Sequence, residues 1–522
     1  MKPTLKNFSS IFALLALILS AFQGCGLKHS ASSNDNPSDN ENKPEEFVIL
    51  FTNDFHSQIE PVETTDRGGI LRIKALVDSV RAVEPLVLLA DAGDFVQGTF
   101  YFSLLDGVVE AMALDEMGYD IRCVGNHEFD KKMEGLHNMF CWSKVPVVST
   151  NYDFSASVAS NDIIKTHIID IDGIKVGFVG LGVRLQGLVS PVCCEGVTYV
   201  DPVDVAEEAA AKLKKQGADI VIGLSHLGYN AKSDAPYMDR GFVMNTKSID
   251  MIIGGHSHTY LPKAVYVRNL LGNVVPIVQT GSRGNNLGYA KVTLKQSGQP
   301  EFEYKLIPVD SRLDDRIDQT FASKISVYSD ALKAKVEEVI GSSDAVLRGG
   351  SPQSLLGNWT TDALVKIAND YYGVTPDITV YNNGGLRASM PKGEIKIADI
   401  YAIYPFDNTL TLLKITGNKV LELFGRIAQG GYVFNGNVKM VCTSDGKMTS
   451  LKINGETVDP LKEYTVATIN YLADDKLEAL NDPISRSDSF EMIRDLFVDY
   501  VRKLTAEGKT ISAEYDDRVV IL

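Results

Sequence analysis

The chain has 522 residues, 44% of them hydrophobic, and a formal net charge of −16 at pH 7. Such a length exceeds the usual size of one hydrophobic core and predicts two domains with ample core material. The acidic balance excludes a nucleic-acid polymer as ligand, because phosphate backbones are gripped by basic faces, and leaves room for a small anionic substrate if cations are supplied locally.

At the N-terminus, Lys2 and Lys6 precede the apolar run "IFALLALILSAF" and then "QGCG". The run is too short for a comfortable membrane span and fits the h-region of a secretory signal. Gly24 stands directly before Cys25, as in bacterial lipoprotein signals, where that cysteine becomes the lipidated first residue of the mature protein. The expectation is a lipoprotein-type signal over 1–24 and a place in the bacterial cell envelope, periplasm or outer surface. Membrane contact would run only through a lipid on Cys25, with an ordinary cleaved signal as the alternative. "KHSASSNDNPSDNENKPEE" has no apolar periodicity and reads as a flexible tether over 25–45.

From residue 46 to about 300, the apolar runs "FVILF", "LVLLA", "IRCV", "VPVVS", "KVGFVGL", "DIVIGLS", "DMIIGG" and "VPIVQTG" predict strands. Amphipathic stretches such as "ILRIKALVDSVRAVE" and "PVDVAEEAAAKLKKQGAD" predict helices between some of them, which is the alternation of an α/β domain over 46–310. Residues 314–340 form one long helical pattern ending at Gly341, the predicted connection between domains over 311–341. Beyond it, the helix "LGNWTTDALVKIANDYYG" and the strands "DITVYNNGG" and "TLTLLKITG" belong to a second, mixed α/β domain over 342–522. Past Cys25 the cysteines are Cys123, Cys141, Cys193, Cys194 and Cys442. An odd number cannot all pair within one chain, and no zinc-ribbon spacing is present. They read as mostly structural, with room for one disulfide in an oxidising envelope.

Several strands of the first domain end in metal-binding residue types: Asp54 and His56, Asp94, Asn126 and His127, His226, and His256 and His258. Ligands collect at the carboxyl ends of strands in α/β sheets, so these distant segments can converge. Singly, "SHLG" or "GDF" reads as a turn; together, five strand ends closing in Asp, Asn or His, mostly beside a Gly, point to one site. Carboxylate, carboxamide and imidazole without thiolate suit Zn, Mn, Fe or Co. Leaving His127 aside, the seven candidate ligands Asp54, His56, Asp94, Asn126, His226, His256 and His258 exceed the needs of one tetrahedral ion. Two divalent ions sharing a carboxylate would use them all, and such pairs, about 3.5–4 Å apart, are the usual apparatus of phosphoester hydrolysis. In "GNHEFD", Asp130 lies three residues after His127, on the same face if a helix begins here. A carboxylate beside an imidazole raises its pKa and fixes its orientation. His127 is therefore the candidate acid or positive clamp for the leaving group, with Asp130 as its orienter; a further ligand or a capping residue is the plainer reading of His127.

The set "TNDFHS", "RGGILRI", "GDFVQGT", "GNHEFD", "SHLGYNAKSD" and "GGHSHT" resembles the calcineurin-like metallophosphoesterases, specifically their 5′-nucleotidase branch. The resemblance implies an α/β/β/α sandwich with the metals at one edge, joined by a long helix to a C-terminal substrate-binding domain. It implies that Asp54, His56, Asp94 and His258 hold one metal, and Asp94, Asn126, His226 and His256 the other. "LGNWTTDAL", "YNNGGLRASMPKGEI" and "YPFDNTLTLLKITGNKVLELF" are similar to segments of the family's C-terminal domain. By that likeness Asn382 contacts the base, Arg387 the phosphate or nearby oxygens, and Phe406 one face of the base. Two places depart from the pattern. "RGGSPQSLLGN" has Pro352 near where the family carries an arginine, and "INYLADDKLEALND" replaces a Gly-Gly-Asp-Gly-aromatic loop, with Tyr471 as the substitute ring. The resemblance implies a phosphohydrolase releasing phosphate from nucleoside 5′-monophosphates or related nucleotides. The alternatives are a hydrolase of cyclic nucleotides, nucleotide sugars or other small phosphoesters, and a non-catalytic nucleotide- or nucleoside-binding surface lipoprotein.

Overall fold

The computed structural model describes residues 44–522 apart from 63–64, 187, 190, 296–297 and 407. The expected signal, Cys25 and the tether up to residue 43 lie outside the described residues. Among those described, no helix is long and apolar enough to cross a membrane.

Two sheets organise the N-terminal half. The first runs in the order Glu301–Pro308, Asn286–Thr293, Glu46–Thr52, Val87–Asp91, Ile121–Cys123, Val147–Val148, Ile163–Ile164; the second runs Val265–Arg268, Val274–Val278, Met251–Gly254, Ile220–His226, Ile174–Gly182, Thr166–Ile171. Their central strands are parallel, which is why these segments read as continuous apolar runs: both faces are covered. Alternate side chains then divide between two cores. Phe47, Ile49, Phe51, Leu88, Ala90 and Ile121 of the first sheet meet Val176, Phe178, Ile220, Ile222, Leu224, Met251 and Ile253 of the second. The intervening Val48, Leu50 and Leu89 pack outward under the helices Ile70–Arg81, Val108–Met117 and Gln319–Val336. Val221 and Ile252 pack under Pro202–Lys215 and Asp239–Met244. The result is an α/β/β/α sandwich, each fully buried aliphatic or aromatic side chain contributing about 1.5–3 kcal/mol.

The helix expected over 314–340 is shorter and is flanked by other elements. A 3₁₀ turn spans Ser311–Arg316, the helix runs Gln319–Val336, and Val339–Ser343 is a strand pairing with Gly393–Lys396. Asp318 sets the start, its carboxylate accepting the N–H groups of Thr320 and Phe321. At the other end the β-branched pair Val339 and Ile340 prefers the ladder to another helical turn. Phe321, Ile325, Leu332 and Val336 seat this helix on the outer face of the first sheet.

The C-terminal half holds a five-stranded sheet in the order Tyr432–Phe434, Ile378–Asn382, Glu463–Ile469, Thr409–Thr416, Ser485–Met492, and a four-stranded sheet of Glu456–Thr457, Met448–Ile453, Val438–Cys442 and Val519–Ile521. One core joins them to the helices Leu355–Tyr372, Gly417–Ile427 and Ile493–Ala506. All five described cysteines are free thiols, so the disulfide allowed for in the sequence is not formed.

Candidate functional site

Five strands of the two sheets deliver polar side chains at their carboxyl ends. Asn53 to Ser57 follow Glu46–Thr52, Asp94 follows Val87–Asp91, and Asn126 and His127 follow Ile121–Cys123. His226 ends its own strand, and His256 and His258 follow Met251–Gly254. His226 keeps the two-residue alternation of Ile220, Ile222 and Leu224 and therefore faces the seam between the sheets, where it is fully buried. Beyond the strands the backbone turns sharply: Asp54, His56, Asp94, His256 and His258 have φ of 48°, 53°, 54°, 67° and 52°. Left-handed φ on five non-glycine residues costs energy at each, and such strain is concentrated where side chains must be aimed. The glycine pair before His256 has a steric cause. A Cβ on Gly255 would lie 2.8 Å from Ala92 O and 2.9 Å from His226 Nδ1.

The side chains meet in three overlapping groups whose ligand atoms lie within 4.8 Å of one another: Asp54, His56 and His258; His56, Asp94 and His127; Asp94, His226 and His256. His56 Nε2 and His258 Nε2 are 2.9 Å apart, with Asp54 Oδ1 3.5 Å from His258 Nε2. Asp94 Oδ2 is 3.0 Å from His226 Nε2, while Asp94 Oδ1 accepts the His127 N–H at 2.9 Å. Asn126 Oδ1 stands 2.9 Å from His256 Nδ1. The structure thus gathers all seven expected ligands, with Asp94 in two of the three groups. Asp130 is held apart from them, its Oδ2 2.7 Å from His127 Nδ1. The expected helix at "GNHEFD" is a 3₁₀ turn over His127–Phe129, and the α-helix starts only at Lys132.

The protonation chemistry suits a cation. Burial pushes the imidazoles of His56 and His256 down, to about 3 and about 4, and lowers His258, so their lone pairs are free to ligate. Burial alone would raise Asp94, yet the imidazoles of His226 and His127 hold its carboxyl well below the usual range. Burial raises Asp54 to about 7 despite the opposing pull of His226. Burial alone would lower His226, but the carboxylates of Asp94 and Asp54 raise it to about 10; with Nδ1 2.8 Å from Ala92 O, a divalent cation would take the place of the proton at Nε2. Buried carboxylates facing imidazole nitrogens form a donor set that fits divalent metal ions.

Two residues that hold this arrangement were not singled out in the sequence. Buried Glu128 accepts the N–H groups of Gly125 at 2.7 Å, Asp94 at 3.2 Å and Phe95 at 3.0 Å, fastening two loops together. Asn53 donates to Asp54 Oδ2 at 2.6 Å and to Gly281 O at 2.7 Å, and accepts from the Thr280 N–H at 2.8 Å. Asn53 stands beside the candidate ligand Asp54 in "TNDFHS" and Glu128 beside His127 in "GNHEFD", and that adjacency was the available signal. Among the glycines beside the site residues the tightest approach is at Gly125, where a Cβ would lie 2.2 Å from Asp94 Oδ1 and 2.6 Å from Asp94 N. Gly125→Ala should lower stability by about 1–3 kcal/mol through overpacking and weaken metal retention, checked by thermal unfolding and elemental analysis of the same preparation.

In the C-terminal half, Asn382, Phe406 and Tyr471 collect at one end of the five-stranded sheet. Ile378 and Thr379 run parallel to Val466 and Ala467, and Leu410 pairs with Ile469, so the residues after Ile469 and before Thr409 emerge together. Asn470 Oδ1 accepts the Thr409 N–H at 2.9 Å. Phe406 and Tyr471 are 43% and 45% exposed, which marks two rings at this end as available rather than core. The Arg387 guanidinium lies 5.9 Å from the Phe406 ring centre. Asn382 Oδ1 and both amide atoms of Asn383 are buried without hydrogen-bond partners. The segment that departs from the family loop is wound tightly, as a π-helical turn over Leu472–Lys476 and a 3₁₀ turn over Glu478–Leu480. Leu472, Ala473, Leu477, Ala479 and Leu480 are buried beneath it.

Comparison with known proteins matches this architecture. The family described as calcineurin-like phosphoesterase matches residues 47–260, and the 5′-nucleotidase C-terminal domain matches residues 333–482. The 5′-nucleotidase of Homo sapiens is 26% identical over 88% of this chain and 88% of its own length. Protein UshA of Escherichia coli (strain K12) is 26% identical over 83% of this chain and 86% of its own. The crystal structure of the 5′-nucleotidase precursor from Thermus thermophilus superposes with a TM-score of 0.67 at 26% identity, covering 91% of this chain and 99% of that one.

Proposed function

Because this chain belongs to the 5′-nucleotidase family of calcineurin-like metallophosphoesterases and is a phosphoric ester hydrolase, we propose that it releases phosphate from nucleoside 5′-monophosphates or related nucleotides in the cell envelope. The family implies divalent metals. Asp54, His56, Asp94 and His258 would hold one ion and Asp94, Asn126, His226 and His256 a second. When bound, such ions neutralise charge on the phosphoryl oxygens and lower the pKa of an attacking water towards about 7. The observation that carries this reading is the convergence of five strand ends on overlapping ligand groups, with left-handed backbone at five of the residues.

The chain's own residues do the rest. His127, oriented by Asp130, presents its imidazole beside Asp94 and His56, where it can place positive charge or a proton at the leaving oxygen. Arg387 offers a planar fork to phosphate or ribose oxygens. Phe406 and Tyr471 offer ring faces to a base, and the unpaired amides of Asn382 and Asn383 offer polar contacts. Phe406→Ala should raise KM for a nucleoside monophosphate about tenfold, the equivalent of losing one stacked ring worth about 1–3 kcal/mol, with kcat nearly unchanged in steady-state kinetics.

The wound segment 471–480 favours a second reading within the same chemistry, in which the substrate is a nucleotide sugar, a cyclic nucleotide or another small phosphoester. Phosphate release from a panel of nucleoside monophosphates, nucleotide sugars and 2′,3′-cyclic nucleotides, with Mn²⁺ or Zn²⁺ added, decides between the two. Preference for monophosphates supports the first, and turnover of cyclic or sugar nucleotides alone discards it. The envelope location rests on the apolar run before Cys25, and labelling with a radioactive fatty acid, lost in Cys25→Ser, tests the lipid anchor.

A further inference from the structure

One histidine and one cysteine stand together outside the cluster described above. His137 and Cys141 are four residues apart on the helix Lys132–Trp142 and so share one face, a turn apart. Asp162, in the loop before the strand Ile163–Ile164, completes the group. Its Oδ2 lies 2.6 Å from His137 Nδ1 and its Oδ1 3.8 Å from Cys141 Sγ, which is itself 3.8 Å from each imidazole nitrogen. One donor atom from each of the three falls within 4.8 Å of the other two.

Bonds of about 2.0–2.3 Å to nitrogen, oxygen and sulfur, arranged tetrahedrally, separate the donor atoms by about 3.3–3.7 Å. The sulfur distances are already close to that range, and the imidazole–carboxylate distance has to open by under about 1 Å. The χ2 torsion of histidine is soft and Cys141 is exposed, so side-chain rotation alone can close the group on an ion.

We propose that His137, Cys141 and Asp162 form a peripheral binding site for a thiophilic divalent cation of the zinc class, separate from the catalytic cluster. The donor set has what the catalytic cluster lacks, a sulfur ligand, and thiolate selects Zn²⁺ or Co²⁺ over Mn²⁺ and Mg²⁺. Three protein ligands leave a fourth position to water. Binding releases the thiol proton to solvent as the sulfur–metal bond forms. The ion would tie the helix Lys132–Trp142 to the segment around Asp162, and that helix follows directly on the turn carrying His127.

The test reads sulfur–metal bonding rather than turnover. Reduced full-length protein, first saturated with Mn²⁺, is titrated with Co²⁺ while thiolate-to-Co²⁺ charge-transfer absorption is followed in the near ultraviolet. A saturable band at one equivalent is expected, absent in Cys141→Ser and shifted to at least about tenfold weaker affinity in both His137→Ala and Asp162→Asn. Phosphatase activity supported by Mn²⁺ should stay within about twofold of the parent in all three. Absence of the band in the parent protein, or its persistence in Cys141→Ser, would overturn the proposal. Melting temperatures of the metal-free variants are expected to match the parent, and because the site is fed by three side chains, a band indifferent to both His137→Ala and Asp162→Asn would overturn it equally.

Discussion

Asp94→Asn is expected to lower turnover by at least about 10³-fold, or about 4 kcal/mol of transition-state stabilisation, and to cut retained metal from about two ions per chain to one or fewer. Asp94, like His56, belongs to two of the ligand groups, and it is the one residue assigned to both proposed ions, so its loss should strike both together. Asparagine has nearly the same volume, but it removes the negative charge and replaces one acceptor oxygen with a donor. That donor would face either His226 Nε2, 3.0 Å from Asp94 Oδ2, or the His127 N–H, which Asp94 Oδ1 accepts at 2.9 Å. Either orientation disrupts one loop while the charge is lost from both groups. Elemental analysis after exhaustive buffer exchange, paired with phosphate-release kinetics, checks this. A variant that kept both ions and more than about a tenth of the rate would mean that Asp94 is not the shared carboxylate.

His127→Ala is expected to lower kcat by about 10²–10³-fold, the usual size of a general-acid or clamp contribution, while metal content stays at the parent level. The argument is geometric. The imidazole is anchored through Nδ1 to Asp130 at 2.7 Å, while its backbone N–H is engaged by Asp94. The competing reading is that His127 is a ligand, since it also falls within ligand distance of His56 and Asp94. The two readings part on metal stoichiometry, because a ligand variant loses an ion and a clamp variant does not. They part again on the substrate: with a good leaving group that needs no proton, such as p-nitrophenyl phosphate, the clamp reading expects the defect to shrink. An undiminished defect accompanied by metal loss would assign His127 to the ligands.

The elements were legible where the signal was local. The runs "FVILF" and "DIVIGLS" became central strands because parallel strands buried on both faces need unbroken apolar sequence. "LGNWTTDALVKIANDYYG" became the helix Leu355–Tyr372, opened by Ser354 accepting the Gly357 N–H and closed by Gly373 at φ 69°. The pattern over 314–340 misled at its end, since Val339 and Ile340 continue a plausible helical period, yet belong to a strand whose partner, Gly393–Lys396, lies more than fifty residues away. The segment 471–480 was legible only as a departure from a family loop. Its apolar positions Leu472, Leu477 and Leu480 were the overlooked sign of a packed turn.

What the sequence by itself determined is the inventory of the site: which side chains carry metal chemistry, that each follows a strand, and that glycines beside them admit close backbone. These are properties of residue type and immediate neighbours, and short-range sterics reads them directly. Tertiary structure alone decided which of those side chains meet. Asp94 falls between two histidine groups, His256 faces Asn126 while His258 faces His56, and Glu128 binds three peptide N–H groups across two loops. The reason is that the pairs Asp94–His226, Asn126–His256 and His56–His258 cross from one sheet to the other, while Glu128 joins two loops of the first sheet, and the stagger of two packed sheets is set by the whole inter-sheet core rather than by any single strand.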